Sequence, residues 1–95
     1  MFEIPHQVLA KWAAGKPTIK ALYAFGSYAR GEAGPDSDLD LAFDFIDVDD
    51  PLSELIEKAA AWKAELNRLT GIVVKDVRLS TDVVAQGPKL LIFSR

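Results

Sequence analysis

Two short groups of residues in the first half of the chain could do chemistry together. They are Gly26-Ser27 and, after ten intervening residues, Asp38-Leu39-Asp40. A glycine that follows a buried strand lets backbone N–H groups approach a ligand closely, and the serine adds a hydroxyl donor. Carboxylates at positions i and i+2 of a strand point to one side, with Cα atoms about 6.5 Å apart. A turn and a carboxylate pair of this kind would suit a phosphate group and a divalent cation.

The aspartate spacing alone leaves two interpretations open. Two unpaired carboxylates this close repel each other, and one of them stays protonated unless a cation lies between them. Mg²⁺ and Mn²⁺ suit such hard oxygen ligands, which they bind together with water and substrate phosphates. The simpler alternative is that Asp38 and Asp40 face solvent on a half-exposed antiparallel strand.

The segments on either side of the Gly-Ser pair predict strands that would position these residues. Residues 18–25, TIKALYAF, are almost wholly apolar and predict a strand buried on both faces. Residues 38–46 alternate with a period of two, which only a strand gives. That alternation predicts one apolar face, with Leu39, Leu41, Phe43 and Phe45, and one polar face, with Asp38, Asp40, Ala42 and Asp44. Between the strands, SYARGE is long enough for one helical turn, and GEAGPDSD is typical turn sequence.

The remaining elements complete an α/β (α+β) pattern. A helix is expected after Pro5, with Trp12 on its apolar side and Gly15 at its end. Asp50-Pro51 predicts the start of a long helix that ends at Gly71. Its expected apolar stripe contains Leu52, Leu55, Ile56, Ala59, Trp62, Leu66 and Leu69. Strands follow at 72–79 and in KLLIF, with a helical turn expected in STDVVAQ. We therefore expect one domain over residues 1–95, with a mixed sheet of about four strands flanked by helices.

Composition narrows the classes of function. The formal net charge of −3 disfavours nucleic acid as a general partner, since such proteins are normally basic. The absence of cysteine excludes disulfides, thiolate metal sites and thiol nucleophiles. The first residues lack the pattern of a signal peptide, and no apolar run approaches the roughly 20 residues that a membrane helix needs. We expect a soluble cytoplasmic protein without a membrane partner.

The segment GSYARGEAGPDSDLDL resembles the signature of the DNA polymerase β-type nucleotidyltransferase superfamily. In that signature a Gly-Ser pair and a spacer precede Asp-x-Asp on a strand. The ten-residue spacer, the ARGEA continuation and the short chain are similar to the smallest branch, the minimal nucleotidyltransferases (MNT proteins). Those proteins are antitoxins that are partnered with HEPN-domain toxins. The order of helices and strands over nearly the whole chain agrees with this resemblance, which implies the polymerase β-like nucleotidyltransferase fold.

The resemblance implies a role for each residue of the motif. Gly26 and Ser27 would contact the triphosphate of a bound nucleotide, which we expect to be ATP. Asp38 and Asp40 would ligate divalent metal, expected to be two ions of Mg²⁺ or Mn²⁺. A third carboxylate is required on a nearby strand, and Asp76 in VVKDVRL is the candidate metal ligand and proton acceptor.

Two of these residues have alternatives that the sequence leaves open. Asp76 could be an edge-strand charge that is paired with Lys75 or Arg78. Arg30, one turn after Ser27, is a candidate nucleotide-binding residue that could equally brace the loop through Glu32 or Asp36.

The resemblance also implies the reaction. We expect a metal-dependent nucleotidyltransferase that moves AMP from ATP to a hydroxyl of a partner protein, such as a tyrosine of a HEPN-type toxin. The alternative is a non-catalytic binding module that neutralises a partner by occlusion. A third hypothesis is transfer to a small molecule or a nucleic-acid end. Homo- or hetero-oligomers are also open, since a strand edge beside KLLIF would be a natural docking surface.

Other polar residues are expected to lie outside the site. Asp47 and Asp49 form a second Asp-x-Asp, but no Gly-Ser turn precedes it, and a solvated loop is the better interpretation. Asp44 shares the face of Asp40 but is expected to be peripheral. His6 begins a helix, and no catalytic or metal role is expected for it.

Overall fold

The computed structural model describes residues 4–82 and 88–95. The elements in these ranges are α1 (His6–Ala14), β1 (Ile19–Phe25), β2 (Leu39–Phe45), α2 (Pro51–Thr70), β3 (Val74–Leu79), a 3₁₀ turn (Ser80–Asp82) and β4 (Leu90–Ser94). They follow the predicted order, and the predicted α+β class is confirmed. The 3₁₀ turn covers the start of STDVVAQ, and the rest of that predicted turn lies outside the described residues.

The described strands form one mixed sheet in the order β3-β2-β1-β4. β1 runs antiparallel to both β2 and β4, whereas β2 and β3 are parallel. The parallel pair requires a long crossover, and α2 supplies it. The two motif-bearing ends, the end of β1 and the start of β2, therefore lie side by side at the centre of the sheet.

Both helices pack on one face of the sheet. Leu22 lies opposite Phe43 and Ala24 opposite Leu41, and these apolar side chains join the main core. The helices contribute Leu9, Trp12 and Ala13 from α1 and Leu55, Trp62 and Leu66 from α2. Trp12 and Trp62 meet edge to face with ring centroids 5.4 Å apart, an arrangement that stabilises aromatic pairs. The opposite face of β2 carries the aspartates.

The ends of α2 are where the sequence predicts them. Asp50 is the N-cap: its Oδ2 accepts a hydrogen bond from the Ser53 hydroxyl at 2.8 Å, and its Oδ1 accepts one from the Ser53 N–H at 3.4 Å. These bonds hold the pKa of Asp50 below its usual value. Gly71 adopts φ 74° and ends the helix, a conformation that glycine reaches without strain. Neither helix in the described residues is long and apolar enough to span a membrane.

Two predictions about buried faces were wrong in part. In the expected stripe of α2, Leu52, Ile56 and Leu69 are exposed to 51%, 69% and 55%. A 20-residue helix is about 30 Å long, whereas the seven residues of β2 span only about 23 Å. The helix is therefore longer than the sheet, which leaves Leu52 and Leu69 exposed in its first and last turns. Ile56 lies about 100° around the helix axis from the buried residue that precedes it and so faces away from the core. Ala42, placed on the polar face of β2, is fully buried, because it packs against Phe25 in a small second cluster.

Candidate functional site

The Gly26-Ser27 turn leaves β1 through a left-handed residue. Gly26 has φ 72°, a conformation that strains residues with a side chain. Its carbonyl accepts a hydrogen bond from Arg30 N–H at 3.1 Å, and the Ser27 carbonyl accepts one from Glu32 N–H at 2.9 Å. The residues after Gly26 thus form a hydrogen-bonded turn that is not a regular helix, where the sequence predicts one helical turn. Gly31, also at φ 72°, ends that turn.

Gly26 lies directly against Asp40. A Cβ atom at position 26 would stand 2.3 Å from Oδ2 of Asp40 and 3.2 Å from its Cγ. No larger residue fits at position 26 unless the carboxylate moves. The pairing of Phe25 with Asp40 in the β1–β2 ladder produces this approach. The glycine is therefore required by a close contact within the site as well as by its backbone angle.

The Asp40 carboxylate is the least satisfied polar group of the site. Its Oδ1 is buried and accepts no hydrogen bond from the residues that the structure describes. Burial raises the pKa of Asp40, and the negative charges of Asp76 and Asp38 raise it further, while Lys75 and Arg30 oppose the shift. A carboxylate in these surroundings gains from a nearby cation, because a positive charge would offset both the desolvation and the repulsion.

Asp76 is the neighbour of Asp40 on the adjacent strand. The parallel register of β2 and β3 pairs Asp40 with Asp76. The Asp76 side chain is 44% exposed, and Nη2 of Arg78 lies 3.9 Å from its Oδ2. The contact with Arg78 is the alternative that the sequence left open. An exposed ion pair of this length contributes little to stability, so a cation could replace Arg78 beside Asp76 at little cost in free energy.

Asp38 lies at the margin of the pair formed by Asp40 and Asp76. It immediately precedes β2 and lines a cavity of about 450 Å³ between the motif loop and the residues that follow α2. Its charge contributes to the raised pKa of Asp40. In residues 4–82 and 88–95, no three His, Cys, Asp or Glu side chains form a ready metal-binding group. The structure brings Asp40 and Asp76 together, and the three-carboxylate set stays a prediction.

The donor set fits a divalent cation that shares its coordination with a substrate. Mg²⁺ is commonly held by one or two carboxylates together with water and phosphate oxygens. The buried Oδ1 of Asp40 has no hydrogen-bond partner among residues 4–82 and 88–95, and Asp76 supplies a second carboxylate from the next strand. Asp40 and Asp76, with Asp38 beside them, could therefore hold Mg²⁺ or Mn²⁺ when phosphate oxygens complete the shell.

Arg30 braces the loop, which is the second of the two roles that the sequence left open for it. Its Nε donates to Oε1 of Glu32, and both side chains are largely exposed. The guanidinium therefore braces the loop in this structure. Its charge still reaches the site, since it lowers the pKa of Asp40.

Asp44 belongs to a different network. Its Oδ1 accepts a hydrogen bond from the Ser80 hydroxyl, and its Oδ2 accepts one from the Tyr23 hydroxyl at 3.2 Å. Burial and the charge of Asp44 raise the pKa of Tyr23, and Lys89 Nζ lies 4.4 Å from the centre of the tyrosine ring. Asp44 is thus peripheral, as predicted. Its partners were missed, and no sequence signal links residues so distant along the chain.

The other residues that the sequence set aside lie on the surface. Asp47, Asp49 and His6 are all exposed. Asp47 has φ 61°, which aspartate tolerates better than most residues. The second Asp-x-Asp is therefore a surface loop, as predicted.

Comparison with known proteins identifies one family. Residues 7–92 match the family described as "Polymerase beta, Nucleotidyltransferase". This range contains the Gly-Ser turn and all three candidate carboxylates. No curated protein and no solved structure matches the chain.

Proposed function

We propose, since the chain belongs to the polymerase beta nucleotidyltransferase family, that it transfers a nucleoside monophosphate from a triphosphate to a hydroxyl acceptor. The family match supports nucleotidyltransferase activity in general. The observation that carries the proposed site is the desolvated Asp40 carboxylate, whose Oδ1 has no partner in the described part of the chain and which lies against Gly26 and beside Asp76. A carboxylate left in this state lowers stability unless a ligand compensates it, which is typical of functional sites.

The motif turn would hold the triphosphate. Within the part of the chain that the structure describes, the N–H groups of Ser27, Tyr28 and Ala29 donate to no protein acceptor. Successive backbone N–H groups in a turn suit anionic oxygens. Arg30 would leave Glu32 to contact a phosphate, because its present pair is exposed and costs little to break.

The carboxylates would hold the metal and receive the proton. Asp40, Asp76 and Asp38 are the proposed ligands of Mg²⁺ or Mn²⁺. When bound, the metal would neutralise phosphate charge and lower the pKa of the acceptor hydroxyl. Asp76, which is half-exposed on the edge strand, would accept the hydroxyl proton and release it to solvent.

The donor, the transferred group and the acceptor are proposed from the resemblance of the motif to the MNT proteins. We propose ATP as the donor, AMP as the transferred group, and a hydroxyl of a HEPN-type toxin as the acceptor, with the cytoplasm as the compartment. Under this proposal the protein is an antitoxin that modifies its partner. These assignments depend on GSYARGEAGPDSDLDL and on the family membership.

A non-catalytic binding module is the second candidate. Two proposed site residues already form ion pairs within the protein, and this observation favours it. Asp76 pairs with Arg78, and Arg30 pairs with Glu32. A domain that neutralises a partner by occlusion would keep these pairs in the complex.

The deciding experiment is capture of the tagged protein from its host, followed by intact-mass analysis of co-purifying chains. The catalytic proposal expects a partner that carries a nucleotide adduct with the native protein and with Asp49→Asn, but lacks it with Asp40→Asn. An unmodified partner, held equally by all three proteins, would replace the catalytic proposal with occlusion.

A further inference from the structure

Strand β3 contains one residue more than its pairing with β2 requires, and that residue is Lys75. Leu39 pairs with Val74 and Asp40 pairs with Asp76, so one step along β2 corresponds to two steps along β3. Such a β-bulge is rare between parallel strands, and bulges often lie beside active sites, where they change the direction of a side chain. This bulge lies directly beside the candidate metal-binding pair.

The bulge decides which face of the sheet receives Asp76. Val74 belongs to the main core, and regular alternation would place Asp76 on the same face. In the structure Val77 and Leu79 pack against that core instead, so the alternation changes at Lys75. A shift of one residue moves every later side chain to the other face of a sheet. Asp76 thus reaches the face away from the helices because of the extra residue.

Lys75 also brings a positive charge to the site. Its side chain is exposed. Burial and the charge of Asp76 raise the pKa of Asp40, and Lys75 opposes this shift more strongly than Arg30 does. The lysine is therefore close enough to the carboxylates for its charge to affect them.

The other cations near the site already have partners. Arg30 donates to Glu32, and Nη2 of Arg78 lies 3.9 Å from Oδ2 of Asp76. Lys75 forms no ion pair within the part of the chain that the structure describes. A lysine is a compact charge on a flexible stem, and without an ion pair to break it can turn towards an anion at low cost. Lys75 is therefore the cation of the site that is most readily available to a ligand.

We propose that Lys75 offsets the carboxylate charges before a metal binds and contacts a phosphate oxygen of the nucleotide once Mg²⁺ has bound. This inference rests on the proposed nucleotidyltransferase function and adds a residue to its phosphate-binding set. Lys75 would be repelled by a metal ion at the carboxylates and attracted by the phosphate oxygens that complete the shell of that ion. A lysine binds phosphate as a point charge, so the same side chain can serve both states.

The place of Lys75 in the sheet distinguishes it from the motif turn. The turn follows β1, whereas Lys75 lies on β3, and β2 with Asp40 runs between them. The turn and Lys75 would therefore contact the phosphate chain from opposite sides of Asp40. The lysine would hold the side nearer to Asp76, which is the proposed proton acceptor.

The chain offers a matched control for a charge at this position. Lys75→Gln removes the charge and keeps most of the length of the side chain, and Lys75→Arg keeps the charge. The control is Lys20→Gln. Lys20 is also an exposed lysine at a register shift, between Ile19 and Ala21, but it lies at the end of the sheet opposite to Asp40. It therefore reports the loss of one positive charge far from the site.

The test measures two affinities of each protein by NMR titration, one for Mg²⁺ alone and one for a non-hydrolysable ATP analogue at saturating Mg²⁺. Lys75→Gln is expected to bind Mg²⁺ about two- to five-fold more tightly, because a competing charge is gone. It is expected to bind the analogue about ten-fold more weakly, because a charged contact with phosphate is lost. Lys75→Arg should keep both affinities within about two-fold of the native values, and Lys20→Gln should match the native protein.

Three results would overturn the inference. Affinities of Lys75→Gln that equal those of Lys20→Gln would make Lys75 a solvated surface charge. A loss of both affinities in Lys75→Gln would assign the residue to the structure of the bulge, since only a charge changes the two affinities in opposite directions. Binding of the analogue that is as weak in Lys75→Arg as in Lys75→Gln would exclude a contact made by charge.

The native protein separates this inference from the function on which it rests. If the native protein does not bind the analogue, the nucleotidyltransferase proposal falls, and the phosphate contact of Lys75 falls with it. If the native protein binds both Mg²⁺ and the analogue while Lys75→Gln behaves like Lys20→Gln, only the inference about Lys75 falls.

Discussion

Asp40 and Asp44 are the same residue type on the same strand and the same face of the sheet, yet their surroundings are opposite. Asp44 accepts hydrogen bonds from Ser80 and Tyr23. Asp40 has a buried oxygen without a partner in the described residues, a neighbouring carboxylate on β3 and a glycine against its other oxygen. Protein donors satisfy the carboxylate of Asp44, whereas the carboxylate of Asp40 is the one that we propose binds a ligand.

A single strand of this small sheet thus carries one structural carboxylate and one candidate ligand-binding carboxylate. A carboxylate whose hydrogen bonds are satisfied by protein donors holds its neighbours in place, which is the role of Asp44 beside the 3₁₀ turn. A carboxylate that is desolvated and crowded by like charge lowers stability until a cation binds. A substitution of Asp40 should therefore lower activity more than stability, and a substitution of Asp44 should lower stability more than activity.

The largest expected effect is on activity at Asp40. Asp40→Asn keeps the size of the side chain but removes its charge, and nucleotidyl transfer should fall by about 10³-fold or more because the metal loses a proposed ligand. Asp44→Asn should retain activity within about ten-fold. Steady-state rates with labelled nucleotide measure both. Comparable losses in the two variants would erase the distinction between the residues.

The next effect concerns the contact between Gly26 and Asp40. Gly26→Ala places a methyl group against the carboxylate in a left-handed backbone, whereas Gly31→Ala meets nothing within 4 Å at the same φ of 72°. Both variants should lose about 1–2 kcal/mol of stability from backbone strain. Only Gly26→Ala should also lose nucleotide affinity, measured by calorimetry. Equal nucleotide affinity in both variants would show that the contact has no role in binding.

A third effect is on stability at Asp44. Asp44→Ala leaves the hydroxyls of Ser80 and Tyr23 without their acceptor and should cost about 1–3 kcal/mol in urea denaturation. Asp40→Asn should instead raise stability at neutral pH, because it removes a desolvated charge that like charges repel. A loss of stability in Asp40→Asn would mean that the carboxylate has a structural partner.

Ligand addition should also distinguish Asp40 from Asp44. Mg²⁺ with an ATP analogue at about 100 times its dissociation constant should stabilise the native protein by about 2.7 kcal/mol. The stabilisation should persist in Asp44→Asn and be largely lost in Asp40→Asn. Thermal denaturation with and without the ligand measures it. An undiminished shift in Asp40→Asn would exclude this carboxylate from the binding site.

The smallest effect is on the pH dependence of stability. The pKa of Asp40 is raised in the folded protein, so the folded state binds the proton more tightly than the unfolded state does. The ionised carboxylate therefore costs stability above its folded pKa, and the cost disappears as the pH falls towards the unfolded value of about 3.9. The stability advantage of Asp40→Asn should shrink over that interval. An advantage that does not change with pH would contradict the proposed cause.

Much of the fold and of the candidate site is determined locally by the sequence. Alternating side chains place Asp38 and Asp40 on one side of a strand, Asp50-Pro51 and Gly71 bound α2, and Gly26 ends β1. These features depend on neighbours within a few residues, where backbone geometry and capping act. The motif that resembles the nucleotidyltransferases also lies in one continuous segment, so the sequence shows it without knowledge of the fold.

The properties that distinguish Asp40 from Asp44 depend on contacts between distant parts of the chain. The pairing of Asp40 with Asp76 depends on the crossover through α2, and the hydrogen bond from Ser80 to Asp44 joins residues 36 positions apart. The burial of Ala42 and the exposure of Leu52 depend on which surfaces meet, and periodicity does not specify that. The desolvation that raises the pKa of Asp40 is likewise a sum over the packed neighbours. Local sequence thus specifies which residues share a face of a strand, while packing specifies which carboxylate has an oxygen without a protein donor among the described residues.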